Sequence, residues 1–141
     1  HFLFLVLSFI SASHAGVTDF LSSSIDVTGQ IHCNGEGLIG NVTVMDSKLV
    51  LRDQELGTVS TEDGNFTITA SAFDVVGVKP YITAVVFCDQ DVKLLRSECQ
   101  NDTIQTLTKD LSLPYLFYSH KTVLAEIDFC GEGSSKYTIE D

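Results

Sequence analysis

An alternation of apolar and polar residues with a period of two recurs along most of the chain. In "IDVTGQIHC" the apolar Ile25, Val27 and Ile31 fall on one face of an extended chain, and polar residues fall on the other. The same pattern returns in "NVTV", "NFTIT", "TLTKDLSLP" and "TVLAEIDFC". Short half-buried strands with hardly any helix predict an all-β fold, an antiparallel β-sandwich of about seven to eight strands.

The dipeptide Asp63-Gly64 in "STEDGNFTIT" is a strong signal for a β-hairpin, a tight turn that lets two strands lie side by side. Such turns need positive φ, which Gly adopts at no steric cost and Asp tolerates. A calcium loop built from Glu62 and Asp63 is the alternative, but the D-x-D-x-D-G spacing of such loops is missing. The sequence therefore favours a structural turn.

The stretch "YITAVVFC", Tyr81 to Cys88, is apolar on both faces. It predicts either a central strand or a strand whose second face is covered by a partner or ligand. The following polar span, Asp89 to Thr103, is expected to be a hairpin loop, and "GEGSSKYTIED" a polar tail.

The aromatic stretch "YLFYSH" falls where a connection is expected, so it either binds a partner or packs over one end of the sandwich. The sequence thus offers two candidate interaction loops, around residues 89–103 and 115–121. Their candidate contact residues are Asp91, Lys93, Arg96, Tyr115, Phe117 and Tyr118.

The N-terminal segment "HFLFLVLSFISASHA" has the apolar core and small-x-small ending of a secretory signal peptide. We expect cleavage after Ala15, which assigns residues 1–15 to the leader and residues 16–141 to a single domain. The chain begins with His rather than Met, so we expect the start of the reading frame to be missing. No stretch of the sequence is long and apolar enough for a transmembrane helix. A secreted, extracellular protein is the expectation.

Four cysteines, at positions 33, 88, 99 and 130, predict two disulfide bonds in an exported domain. A zinc site is disfavoured because the chain has no C-x-x-C pair. Three pairings are possible. We favour Cys88 with Cys99, which closes a short loop, and hence Cys33 with Cys130, which ties the first strand to the last.

Three sequons, at Asn41, Asn65 and Asn101, predict N-linked glycosylation of an exported protein. The formal net charge of −11 disfavours nucleic acid as a partner, and it disfavours anionic lipid unless calcium bridges the two. No common cofactor-binding or catalytic motif is present, so no cofactor is expected.

Three segments together resemble the nematode transthyretin-like family of secreted proteins. They are "VTGQIHCNGEGLIGNVTV", the T-D-x-x-G-x-F-like "TVSTEDGNF" and "PYITAVVFC", followed by Cys99. The resemblance extends over about Ile25 to Cys130. It implies a transthyretin-type (prealbumin-like) sandwich, exported to the extracellular space, with no established active site.

That fold is compatible with three classes of function, and the residues of this chain favour them to different degrees. An enzyme like the hydroxyisourate hydrolases of this fold would need an Arg-Gly-Ser motif at its end, and the sequence here ends in "KYTIED" instead. His32 lies near the position of their first-strand histidine, but it is expected on the outward face of the strand. A carrier of a small lipophilic ligand would use Tyr81 to Cys88 and the aromatic stretch to line an apolar pocket between the sheets or between subunits. We favour a non-enzymatic extracellular interaction module that presents loops to a cell-surface or extracellular partner.

Overall fold

Nine strands and one short helix make up the described part of the chain. The structure, a computed structural model, describes residues 22–99, 103–131 and 135–140. Residues 1–15, for which a signal peptide is expected, and Asn101 lie outside these residues. The strands are β1 (Ser22–Cys33), β2 (Glu36–Gly37), β3 (Gly40–Asp46), β4 (Gln54–Thr61), β5 (Asn65–Phe73), β6 (Pro80–Phe87), β7 (Thr106–Ser112), β8 (His120–Asp128) and β9 (Lys136–Glu140), and the helix is α1 (Lys93–Cys99).

The strands form two sheets that pack face to face. In the first sheet β1 lies between β5 and β8, β9 pairs with β8, and β2 pairs with the last two residues of β1. The second sheet has the order β4-β3-β6-β7. Every pair is antiparallel except β1 with β8. The expected all-β transthyretin-like sandwich is therefore confirmed, with nine strands in the described residues rather than seven or eight.

The core lies between the two sheets and is built by the residues that the period of two had placed inward. Each fully buried aliphatic or aromatic side chain contributes about 1.5–3 kcal/mol by leaving water. β6 is central in its sheet, as its two apolar faces predicted. The inward residues of four strands are Ile25, Val27 and Ile31 in β1, Val42 and Val44 in β3, Ile82, Ala84 and Val86 in β6, and Val123, Ala125 and Ile127 in β8.

The Asp63-Gly64 turn connects two strands of different sheets. Gly64 has a φ of +92°, as the turn prediction required, but β4 belongs to the second sheet and β5 to the first. Gly64 lies against Gly37 and the carbonyl of Ile31, where an added Cβ would come within 2.5 Å of that oxygen. The expectation of two strands side by side is corrected, because this close backbone contact and the pairing of β5 with β1 carry the chain across the sandwich.

Two segments differ from the sequence expectations. The span from Asp89 to Thr103 contains α1 rather than only a hairpin loop, because Leu95 is buried in the core. The polar tail contains β9, which pairs with β8 although all five of its residues are exposed. Backbone pairing alone, rather than an apolar face, places this last strand.

The cysteines form two disulfide bonds, with the pairing that the sequence favoured. Cys33 joins Cys130 across 97 residues, and Cys88 joins Cys99 across 11. The first bond ties the end of β1 to the residue two positions beyond β8. The second fixes α1 to the end of β6, so both bonds lie at the same end of the sandwich.

Candidate binding surface at one end of the sandwich

Three connections meet at one end of the sandwich because β3 and β5 end there and β6 and β8 begin there. The registers place the end of β3 beside the start of β6, and the end of β5 and the start of β8 beside the start of β1. We call this surface the apolar end and define it as residues 47–53, 73–79 and 113–121. Both disulfides lie at the opposite end.

Large hydrophobic side chains are concentrated on the apolar end. Of the fourteen exposed ones in the described residues, eight lie here, and the tip of the first loop is almost wholly in water. Leu49 is 95% exposed and Val50 92%. Patches of this kind on a soluble domain mark interaction surfaces. The eight residues are Leu49, Val50, Leu51, Phe73, Val75, Val76, Tyr115 and Phe117.

Lys48 joins the first loop to the second by bridging two carboxylates. Its Nζ lies 2.7 Å from Oδ2 of Asp46, which is 1% exposed, and it also donates to Asp74. The contact with Asp46 is an ion pair rather than a well-directed hydrogen bond. The two carboxylates, Asp46 first, raise the pKa of Lys48, and Lys48 lowers the pKa of Asp74. The bridge therefore holds the two apolar loops together by charge.

Asp53 closes the first loop on itself. Its Oδ1 accepts the N–H of Lys48 at 3.0 Å, and its Oδ2 accepts the hydroxyl of Tyr81. The Tyr81 hydroxyl is the main cause of the lowered pKa of Asp53, and Asp53 in return raises the pKa of Tyr81 to about 12. Leu49, Val50 and Leu51 lie between the two ends of this closed loop, so they are presented on an ordered turn.

The aromatic stretch packs over the end of the sandwich and also exposes aromatic surface. Leu116 is buried and exchanges backbone hydrogen bonds with Val78. The Tyr118 hydroxyl donates to the carbonyl of Val75 at 2.6 Å, and that of Tyr115 donates to Val76. Both hydroxyls thus tie this stretch to the second loop. Phe117 remains 56% exposed, so packing over the end of the sandwich accounts for only part of the stretch.

The charge of the apolar end differs in sign from that of the whole chain. Four of the eight basic residues lie in it, but only two of the nineteen acidic ones, which gives it a net charge of +2 in a chain of −11. Among the lysine and arginine side chains that the structure describes on this surface, Lys48 is the one with an ion pair, and His120 lies 3.2 Å from Oδ2 of Asp26. Arg52 and Lys79 are exposed and Lys121 is half-buried.

The other candidate loop lies at the opposite end. There, Asp91 and Arg96 form an exposed ion pair of 3.6 Å, and Lys93 begins α1. We call this surface the acidic end and define it as residues 34–39, 62–64 and 87–99. Six acidic and two basic residues give it a net charge of −4. The two candidate loops of the sequence analysis are therefore on opposite surfaces rather than in one site.

His32 is buried, although it lies on the outward face of β1 beside Glu126 of β8. It is 5% exposed, its Nε2 contacts Oε1 of Glu126 at 2.8 Å, and its Nδ1 accepts the N–H of Gly35 at 2.8 Å. An acceptor at Nδ1 means that the proton is on Nε2, so this tautomer is neutral and donates to Glu126. Both nitrogens are engaged within the protein. The arrangement serves the turn after β1 and leaves neither nitrogen open to a substrate.

A shallow groove lies beside the apolar end, with a volume of about 400 Å³. Lys79, Tyr81, Leu113 and Tyr115 contribute to its lining. Within residues 22–99, 103–131 and 135–140, no cluster of three or more His, Cys, Asp or Glu side chains has the placement of a metal site. The one helix of these residues is too short to cross a bilayer.

Sequence reasoning missed most of the apolar end. The sequence singles out only Tyr115, Phe117 and Tyr118 of this surface, and not the stretch "SKLVLRD". A signal was present in it, because three consecutive aliphatic residues between charges fit neither a half-buried strand nor an ordinary polar loop. The second loop, "FDVVGVK", carries the same kind of run.

The two sheets and their connectivity form an all-β sandwich of the transthyretin type. The chain belongs to the transthyretin-like family, whose model matches residues 28–107. This segment runs from β1 into β7 and includes the crossing turn, β6 and α1.

Among other known proteins, no curated sequence matches the chain. Solved structures with a similar arrangement include an (S)-allantoin synthase, 11% identical with a TM-score of 0.45 over 87% of this chain and 46% of that chain. A second is a putative cell adhesion protein of Bacteroides fragilis, 8% identical with a TM-score of 0.41 over 86% of this chain and 45% of that chain. The chain thus matches less than half the length of either structure.

Proposed function

We propose that this protein is a secreted, non-enzymatic binding module that presents the loops of the apolar end to an extracellular or cell-surface partner. The concentration of exposed hydrophobic side chains at that end is the observation that carries the proposal. A monomeric domain gains nothing in stability from apolar side chains that stay in water, whereas an interface recovers about 25 cal/mol for each Å² that it buries.

Pre-organisation of the loops supports the same function. The Lys48 bridge, the Asp53 closure and the two tyrosine hydroxyls fix the loops before a partner arrives. A loop that is already ordered loses less conformational entropy on binding, and more of the contact energy then appears as affinity. The surface is thus suited to recognition rather than to chemistry.

Secretion and glycosylation belong to this proposal. Two disulfides favour an oxidising compartment, and the N-terminal segment has the pattern of a signal peptide. Asn65 is exposed in β5 and Asn41 is half-buried in β3. Both side chains are on the outer faces of their sheets, so glycans on them leave the apolar end uncovered.

The experiment that tests the function measures binding of the labelled protein to intact cells of the source organism. The test variant is Val50→Glu/Val76→Glu, which places two charges on loop tips that are already exposed. The control is Leu124→Glu, on the outer face of β8 and 45% exposed. We expect saturable binding that the test variant loses and the control keeps. Equal binding by wild type and test variant would refute the proposed surface.

Carriage of a small lipophilic ligand is the second candidate function, and the groove beside the apolar end favours it. The inter-sheet space along β6 is filled by the fully buried Ile82, Ala84 and Val86, so a ligand would occupy the groove. Native mass spectrometry of the protein from its natural source tests this. A retained small molecule that is released on denaturation supports a carrier, and an empty protein contradicts it.

A further inference from the structure

We propose that copies of this protein associate head to tail, with the apolar end of one copy docked on the acidic end of the next. This inference rests on the proposed function of the apolar end as a binding surface, and it names a second copy of the chain as a partner. It follows from a complementarity between the two ends in both charge and apolar surface.

Charge supplies the first half of the complementarity. The apolar end carries a net charge of +2 and the acidic end −4. Arg52 and Lys79 of the apolar end are exposed, and the six acidic residues of the opposite end are exposed as well. Opposite net charges on two patches orient an encounter and suppress the like-with-like alternative, in which two apolar ends or two acidic ends would meet.

Apolar surface supplies the second half. The acidic end exposes three large hydrophobic side chains, Ile39 (42%), Phe87 (39%) and Leu94 (51%). The Gln90 side chain fixes two of them, because it donates to the carbonyls of Ile39 and Phe87 and accepts the N–H of Ile39. An apolar centre within a charged rim is the usual composition of a protein–protein interface. Both ends combine exposed apolar side chains with charged ones, and their net charges are of opposite sign.

Geometry decides the form of the assembly. The two surfaces lie at opposite ends of the same sandwich and differ from each other, so the contact between copies is heterologous. A heterologous contact leaves one free surface of each kind at the ends of a growing assembly, which forms a linear array unless the rotation closes a ring. The mean size of the assembly therefore rises with protein concentration instead of stopping at a dimer.

Sedimentation velocity of the purified full chain tests this over a wide concentration range. We expect a mass that rises with concentration at low salt and falls at high salt, because the Debye length shrinks from about 30 Å at 0.01 M to about 3 Å at 1 M. The apolar-end variant is Val50→Glu/Val76→Glu, and the acidic-end variant is Asp89→Lys/Leu94→Lys. Each is expected to weaken self-association about tenfold or more, while the Leu124→Glu control associates like wild type.

Mixing the two variants gives the most specific outcome. The apolar-end variant keeps an intact acidic end, and the acidic-end variant keeps an intact apolar end. A one-to-one mixture should therefore form a heterodimer and no larger species, although neither variant associates alone. Circular dichroism and thermal melts confirm that both variants are folded, which is expected because all four changed side chains are exposed.

Several outcomes overturn the inference. A wild type that stays monomeric at every concentration and salt is one, and association that survives both variants is another. If the apolar-end variant loses association and the acidic-end variant keeps it, the protein forms a symmetric dimer through two apolar ends. A monomer that still binds cells or phosphatidylcholine–phosphatidylglycerol vesicles through the apolar end refutes self-docking and leaves the proposed function standing.

Discussion

Replacing Lys48 by Met should destabilise the protein, because the substitution leaves the carboxylate of Asp46 buried without its counter-ion. Asp46 is 1% exposed, and its remaining partner is the N–H of Lys79, which donates to Oδ1 at 3.1 Å. Breaking a fully buried ion pair costs about 3–5 kcal/mol. Lys48 is 22% exposed and Asp74 18%, so water compensates for part of the loss. We expect a decrease of about 2–3 kcal/mol in the free energy of unfolding.

Urea denaturation followed by circular dichroism measures this decrease. Arg52→Met is the matched control, because Arg52 lies in the same loop, is exposed and should change the unfolding free energy by less than about 0.5 kcal/mol. The double variant Lys48→Met/Asp46→Asn should recover at least half of the lost unfolding free energy. It removes the unpaired charge and keeps an acceptor for the backbone N–H of Lys79. A Lys48→Met protein as stable as the Arg52→Met control would refute the reasoning.

Four further predictions follow from the contacts described above. In a spectrophotometric titration one tyrosine should ionise near pH 12, and Tyr81→Phe should remove that step; an unchanged titration curve would contradict the Asp53 contact. Because Lys48 lowers the pKa of Asp74, the stabilisation by Asp74 is complete above its unfolded pKa of about 3.9 and is lost as the pH falls through the lower folded pKa. The difference in unfolding free energy between wild type and Asp74→Asn should therefore shrink below about pH 4, and a constant difference would argue against the ion pair. Gly64→Ala should lower the free energy of unfolding by about 3 kcal/mol in a denaturant titration, because Gly64 has a positive φ and lies against a carbonyl. Gly35→Ala should lower it less, because the space around the added Cβ is open. Opening the 97-residue disulfide loop by Cys33→Ser/Cys130→Ser should destabilise more than Cys88→Ser/Cys99→Ser, about 4.7 against about 3 kcal/mol by chain entropy, and the reverse order in thermal melts would contradict this.

Most strands of the core could be predicted from the sequence because one face lies in water and the other in the core, whereas β6 could be predicted from its two apolar faces. In β1 the alternation of Ile25, Val27 and Ile31 with polar residues reflects that burial directly. β9 and α1 show no such pattern in the sequence. β9 has no buried face at all, and α1 has only seven residues, held by the burial of Leu95 and by the disulfide at Cys99.

The candidate surface could be predicted only in part, because it is assembled by topology. Residues 54–72 separate its first two loops and residues 80–112 separate the last two. These loops meet only because β3 and β5 end where β6 and β8 begin. A local pattern can mark Val50 or Phe117 as unusual for a loop. It does not show that the two belong to one surface, which depends on which strands pair and in which sheet.

The parallel pairing of β1 with β8 has a consequence for the order of events during synthesis. β1 is made first, but the strand beside it in the sheet, residues 120–128, follows nearly a hundred residues later. At a rate of about 5–20 residues per second, that interval is about 5–20 s. β5 can cover one edge of β1 earlier, while the other edge stays open to wrong partners throughout. The nascent chain is therefore expected to depend on chaperones until its last third has emerged from the ribosome.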